Sequence, residues 1–172
     1  MNKKTKITSF LLTMLIVWNG PISGNDLTPN YDQADQALII KSERKLYLYK
    51  AGKVLQDFDI ALGLVPKGPK ERSGDFRTPE GHYYLETKNS NSNYFLSIKI
   101  SYPNEQDIAK ARAQGVDPGG QIMIHGQPNE SKYSALRAQG LDWTDGCIAV
   151  SNSDMVDIWL MIEDKIPIEI RP

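Results

Sequence analysis

Trp143-Thr144-Asp145-Gly146-Cys147-Ile148-Ala149-Val150-Ser151-Asn152 packs a turn, an apolar strand and a helix start into one run. Asp145-Gly146 is turn chemistry, and Cys147 to Val150 reads as a short strand. Ser151 or Asn152 can cap a helix over 153–163, whose apolar Met155, Ile158, Trp159 and Ile162 recur at helical spacing. Upstream, Gln121 to Ile124 forms another apolar strand, which leads into His125-Gly126. The only cysteine of the chain and one of its two histidines thus stand where short strands meet turns.

Outward from this pair the chain is strand and turn. Ala37 to Lys41 is an apolar strand. Lys45 to Lys50 alternates, with Leu46 and Leu48 on one face and Tyr47 and Tyr49 on the other; Ala51-Gly52 turns, and Val54 to Leu62 returns. Residues 63–81 are rich in Gly, Pro and charge and form a loop of functional length. His82 to Thr87 and Tyr94 to Ile100 are strands joined by an Asn/Ser turn, 104–114 is a helix stopped by Gly115, and 131–139 is a second short helix stopped by Gly140. Ile166 to Ile170 is the last strand. The expected fold is one mainly β domain over 36–172 with a few short helices, preceded by a polar arm at 25–35.

Composition narrows the function. The 172 residues are 40% hydrophobic and 24% charged, an ordinary globular profile. One cysteine excludes an intramolecular disulfide framework and any multi-thiolate cluster, and two histidines leave no His-rich metal site. No metal or cofactor is expected. A net charge of −1 is not the basic footprint of a nucleic-acid binder.

Lys3, Lys4 and Lys6 precede an apolar run from Ile7 to Trp18, broken by Asn19-Gly20-Pro21 and followed by Ile22-Ser23-Gly24. That is the layout of a secretory signal over 1–24, cleaved near Gly24. The run is shorter than the roughly 20 residues of a comfortable span, so no stable membrane span is expected after cleavage. The remaining 148 residues carry 17 basic and 21 acidic side chains. Export to a periplasm or cell envelope makes a lone thiol a liability unless it is buried, paired or used.

Residue chemistry leaves two readings of Cys147: a small buried apolar side chain, or a nucleophile. Gly146 before it lets the backbone approach a substrate, and the N–H groups of Gly146 and Cys147 can aim at an oxyanion. His125 is the natural base for such a thiol. Lys67, Lys70, Arg72 and Arg77 crowd the long loop; Lys67 and Lys70 read as solvated, and Arg77 as framing a site. Asn152 reads as a helix cap, His82 as structural, and Tyr83, Tyr84 and Tyr94 as strand packing or sugar-stacking faces.

The chain also resembles a known family. Ile124-His125-Gly126 followed by Thr144-x-Gly146-Cys147-Ile148 looks like the signature of YkuD-type L,D-transpeptidases, and Arg77-Thr78-Pro79-Glu80-Gly81-His82-Tyr83 resembles their R-T-P-x-G-x-Y/F segment. Ser101-Tyr102-Pro103-Asn104, Asp117-Pro118-Gly119-Gly120 and the 143–152 run are similar to the YafK-like branch. The resemblance covers roughly 36–172 and implies the β-rich, sandwich-like YkuD catalytic domain. It implies Cys147 as nucleophile on a peptidoglycan stem peptide and His125 as base, oriented by the Gly126 carbonyl. Gly146 and Cys147 N–H groups would hold the oxyanion, and Arg77, Trp143, Thr144 and Asp145 would contact substrate. The acyl-enzyme would pass to an amine (transpeptidation) or to water, as in a carboxypeptidase or an amidase-type hydrolase that releases a wall-linked lipoprotein. A non-catalytic wall-binding domain is the reading from another class. Asp145 and Ala149 stand where the wider family usually has His and Arg; without that Arg, substrate carboxylates lose a bidentate partner.

Overall fold

The computed structural model describes residues 31–130, 141–163 and 165–172. The expected signal segment, the start of the polar arm and the helix at 131–139 lie outside the described residues. The elements are β1 (Gln36–Ile40), β2 (Lys45–Lys50), β3 (Lys53–Asp59), β4 (Gly81–Ser92), β5 (Phe95–Ile100), α1 (Glu105–Ala113), β6 (Met123–His125), β7 (Ile148–Ala149), α2 (Asn152–Met161) and β8 (Pro167–Arg171). The architecture is mainly β, as expected.

The eight strands hydrogen-bond in the order β3-β2-β1-β8-β4-β5-β6-β7. β4 joins the two halves: Gly81 to Tyr84 pair with β8, and from Leu85 onward it pairs with β5 through two register shifts. Those irregularities let β4 run to Ser92, well past the Thr87 expected from the sequence. β3 is shorter than expected, because after Asp59 the backbone leaves β2. Ile60 N–H goes to Arg44 O, and Leu62 N–H to Asp142 Oδ1. Between them Ala61 exchanges both backbone bonds with Ala149, at 2.8 and 2.9 Å, so the β3 end meets β7 across the molecule. Leu46, Leu48, Phe58 and Leu62 from one half then share a single core with Leu85, Ile98, Ile100, Ile124 and Ile148 from the other. Each such side chain contributes about 1.5–3 kcal/mol on burial.

Local signals explain the element ends. Ala51 (φ 49°) and Gly52 (φ 74°) fill the two positive-φ positions of a two-residue hairpin between β2 and β3. Asn104 caps α1 in a capping box with Asp107. Ser151 Oγ accepts from Asp154 N–H at 3.0 Å and caps α2, which buries Met155, Ile158 and Met161 in the core. The end of the polar arm is tied down: Ala34 is buried and donates to Met161 O, and Asp35 N–H bonds Tyr49 O.

The loop between β3 and β4 departs most from expectation. Lys70 is buried, not solvated: its ammonium meets Asp75 Oδ1 at 2.7 Å and Arg72 O at 3.1 Å. Asp75 also accepts the N–H groups of Glu71, Arg72 and Arg77. Lys41, at the end of β1, is 2% exposed and reaches under the same loop to Gly68 O, Thr78 O and Glu80 Oε1. Buried ammonium groups need such matched acceptors, so these two lysines act as pins. Lys67 is exposed, as expected.

Candidate active site

β6 and β7 run parallel, with Ile124 opposite Ile148 and His125 opposite Ala149. Both isoleucines are fully buried in the core. Strand alternation turns their neighbours, His125 and Cys147, to the other face. Both side chains line one cleft of about 370 Å³, together with Tyr94, Gln121, Trp143, Thr144 and Asp145.

His125 is only 4% exposed. Its Nδ1 lies 2.7 Å from Gly126 O. A carbonyl oxygen only accepts, so Nδ1 carries the proton and the neutral ring keeps its Nε2 lone pair. Burial lowers the imidazole pKa from its ordinary value, and the Gly126 bond opposes this. The ring packs against two aromatic side chains that also stack on each other at 6.3 Å: Tyr94 with ring centres 4.5 Å apart, and Trp143 edge-on at 5.8 Å. Tyr94 sits in the β4–β5 turn, which Asn129 holds through Asn93 O, Ser92 O and Phe95 N–H.

Cys147 is half-buried and free of any disulfide. Its thiol donates to Gln121 O at 3.4 Å. Burial raises the thiol pKa and the Asp145 carboxylate raises it further; the Met123 N–H facing the sulfur and the Lys70 ammonium pull it down. Burial thus favours the neutral thiol and the neutral imidazole alike.

Glycines make room for this geometry. A Cβ on Gly146 (φ 130°) would stand 2.6 Å from Arg77 O, so the Arg77-Thr78 backbone lies directly under the turn before Cys147. A Cβ on Gly126 would stand 2.7 Å from Asn152 Oδ1 and 3.1 Å from the Phe95 ring. Both positions exclude any other residue without local rearrangement.

The remaining expected site residues divide. Trp143, Thr144 and Asp145 line the cleft. The Thr144 hydroxyl, however, is spent on the turn: it donates to Cys147 O at 2.6 Å and accepts Gly146 N–H at 3.1 Å. The Gly146 N–H is thus bonded to that hydroxyl rather than aimed at the cleft. Arg77 does not line the cleft; its guanidinium reaches Pro69 O at 3.4 Å and Glu71 at 3.7 Å, and its segment supports the site through its backbone. Asn152 is not the cap of α2; its side chain accepts Gln127 N–H at 2.7 Å. Sequence reasoning missed the Asn129 strut altogether. Its bonds span more than thirty positions, and no local pattern announces them. Among the described residues, no three His, Cys, Asp or Glu side chains converge as a metal-binding group.

Comparisons with known proteins bear on the family and the fold. The family model of the YkuD L,D-transpeptidase catalytic domain matches residues 34–170. Over 157 residues the chain is 33% identical to "Putative L,D-transpeptidase YafK" of Escherichia coli (strain K12), covering 83% of this chain and 62% of that protein. The chain therefore spans less than two thirds of that relative. Among solved structures, the helical cell shape determining protein Pgp2 from Campylobacter jejuni is similar with a TM-score of 0.61 and 29% identity, over 81% of this chain and 48% of that one. An L,D-transpeptidase from Mycobacterium smegmatis shares the fold, with a TM-score of 0.52 at 14% identity over 81% of this chain and 59% of that one. With its family segment reaching from Ala34 to Ile170 around the Cys147–His125 cleft, this chain belongs to the YkuD L,D-transpeptidase domain family.

Proposed function

We propose that this chain is an exported, cysteine-dependent enzyme that acts on peptidoglycan stem peptides and passes the acyl group to an amine. The observation that carries the reading is one cleft lined by both Cys147 and a His125 whose Nδ1 is committed to Gly126 O. In the reaction, His125 Nε2 takes the thiol proton as Cys147 Sγ attacks the carbonyl carbon of the L–D peptide bond after the third-position diamino acid. The tetrahedral oxyanion collapses and expels the amine of the following residue, which takes the proton back from the imidazolium. The thioester left on Cys147 then reacts with an incoming amine to form a new peptide bond, or with water to release the acid. Proton transfer of this kind contributes about 10²–10⁴ in rate, and each well-aimed oxyanion donor about 3–4 kcal/mol.

The bonding of Gly146 N–H to Thr144 favours the Cys147 N–H as the principal oxyanion donor in this state. Asp145 and Trp143 line the cleft, which supports a role for them in meeting substrate, and Arg77 serves as a support for the turn. Pgp2 is by name a determinant of helical cell shape, and wall remodelling of that kind fits the proposed chemistry.

The test is incubation of the protein with defined muropeptides followed by mass analysis, with Cys147→Ala as control. New cross-links or exchanged terminal residues support transfer. Trimmed stems, or stems released from a wall-linked protein, assign hydrolysis instead. Unchanged substrates and no adduct on Cys147 refute both and leave a wall-binding domain.

A further inference from the structure

The peptide unit between Gly126 and Gln127 is bonded at both ends. Its carbonyl accepts the His125 Nδ1 proton at 2.7 Å, and its N–H donates to Asn152 Oδ1 at 2.7 Å. The only cis bond among the described residues precedes Pro103, so here C=O and N–H point in opposite directions across one rigid plane. We propose that Asn152 is a positioning residue for His125, acting through this peptide. The inference rests on His125 serving as base for Cys147.

Three features support it beyond the two bonds. First, Asn152 is not needed to start α2, because Ser151 already caps that helix. Its amide oxygen is therefore available to the His-Gly segment. Second, Gly126 has no side chain where Asn152 approaches: a Cβ would stand 2.7 Å from Oδ1. Gly126 is not among the positive-φ residues, so space and not backbone conformation requires glycine here. Third, the same two segments are strapped on either side of this bond. Val150 N–H donates to His125 O at 3.0 Å, and the Gln127 side-chain amide donates to Val150 O. The helix that follows the Cys147 strand thereby holds the carbonyl that orients the base.

The chemistry has a direction. An acceptor on a peptide N–H polarises the unit and makes its C=O a better acceptor. A better acceptor favours the imidazolium that forms when Cys147 loses its proton. Without the Asn152 oxygen the plane is free to tilt, and the imidazole becomes a weaker base.

The experiment measures the rate of Cys147 alkylation by iodoacetamide against pH, in wild type and in Asn152→Leu, Asn152→Asp and His125→Gln. Leucine matches asparagine in shape and cannot accept; aspartate accepts. The expected result is an about fivefold slower alkylation near neutrality for Asn152→Leu, the value of one ordinary hydrogen bond. Its pH profile moves up toward that of the His125→Gln thiol, and Asn152→Asp returns it to wild type or beyond. The His125 Nδ1–H proton resonance moves upfield in the leucine variant and stays downfield in the aspartate variant. Should Asn152→Leu not fold, Asn152→Ala is read the same way. An unshifted profile in the leucine or alanine variant, or equal slowing in the aspartate variant, overturns the inference even if the melting temperature falls. A His125→Gln profile identical to wild type refutes the underlying base assignment instead.

Discussion

Two regions of this molecule bury ionisable side chains, and they treat charge in opposite ways. Beneath the long loop, the ammonium groups of Lys41 and Lys70 meet the carboxylates of Glu80 and Asp75 at 2.8 and 2.7 Å, with backbone carbonyls completing their shells. In the cleft, His125 and Cys147 each hydrogen-bond a backbone carbonyl rather than a charged partner, and burial pushes both toward their neutral forms. The difference separates structure from reactivity. A paired charge is committed and holds a loop in place; under the proposed function, a neutral thiol and a neutral imidazole in one cleft are still able to exchange a proton.

The largest test of the contrast removes the reactive side. His125→Ala is expected to lower Cys147 acylation by about 10²–10⁴ while leaving the fold intact, read by mass analysis of the adduct and by circular dichroism. A wild-type acylation rate would remove His125 from the mechanism.

Next comes the structural side. Lys41→Met leaves Glu80 without its buried partner and the carbonyls of Gly68 and Thr78 without a donor. The expected loss is about 3–5 kcal/mol of stability, measured by urea denaturation. Alkylation of Cys147 in the protein that remains folded should stay near wild type. A stable Lys41→Met protein would show that the pin is dispensable.

Smaller still are the acid limbs of the stability curve, where the two regions respond at different pH. Burial alone would raise the Asp75 carboxyl; the Lys70 ammonium and three backbone N–H groups outweigh it and bring the pKa from 3.8 to about 2. Asp75 therefore stabilises the fold fully above its unfolded value, and that stability is lost as pH falls through its folded one. The contribution is about 2 kcal/mol. The His125 pKa is lowered, so its penalty begins as pH drops below the unfolded value of 6.5 and grows toward the folded one. Melting temperatures across pH should thus decline in two stages. Asp75→Asn should erase only the lower stage, and His125→Gln only the upper; a single unchanged stage in both variants would contradict the division.

Much of this was legible along the chain, where the controlling interactions are local. Leu46 and Leu48 against Tyr47 and Tyr49 spelled out β2, Ala51-Gly52 its hairpin, and Gly115 the end of α1. The strand-end settings of Cys147 and His125 were legible for the same reason, since a residue and its immediate neighbours define a strand end. The burial of Lys70 was not, because its stabilising partner Asp75 and the surrounding loop only make sense once folded. Arg77 misled in the other direction. The motif around it is used through its backbone carbonyl under Gly146, and a motif does not reveal which atoms it uses.

The sequence by itself determined which elements form and that one thiol and one histidine stand at strand ends, because periodicity, turn residues and composition act over a few neighbouring positions. Only the tertiary structure decided how they work together. It placed β6 beside β7 so that His125 and Cys147 share a cleft, set Tyr94 and Trp143 against the imidazole, and brought Asn152 to the peptide behind it. Those contacts join distant segments through strand register and single hydrogen bonds, and such pairings exist only once a common core has closed around Ile124 and Ile148.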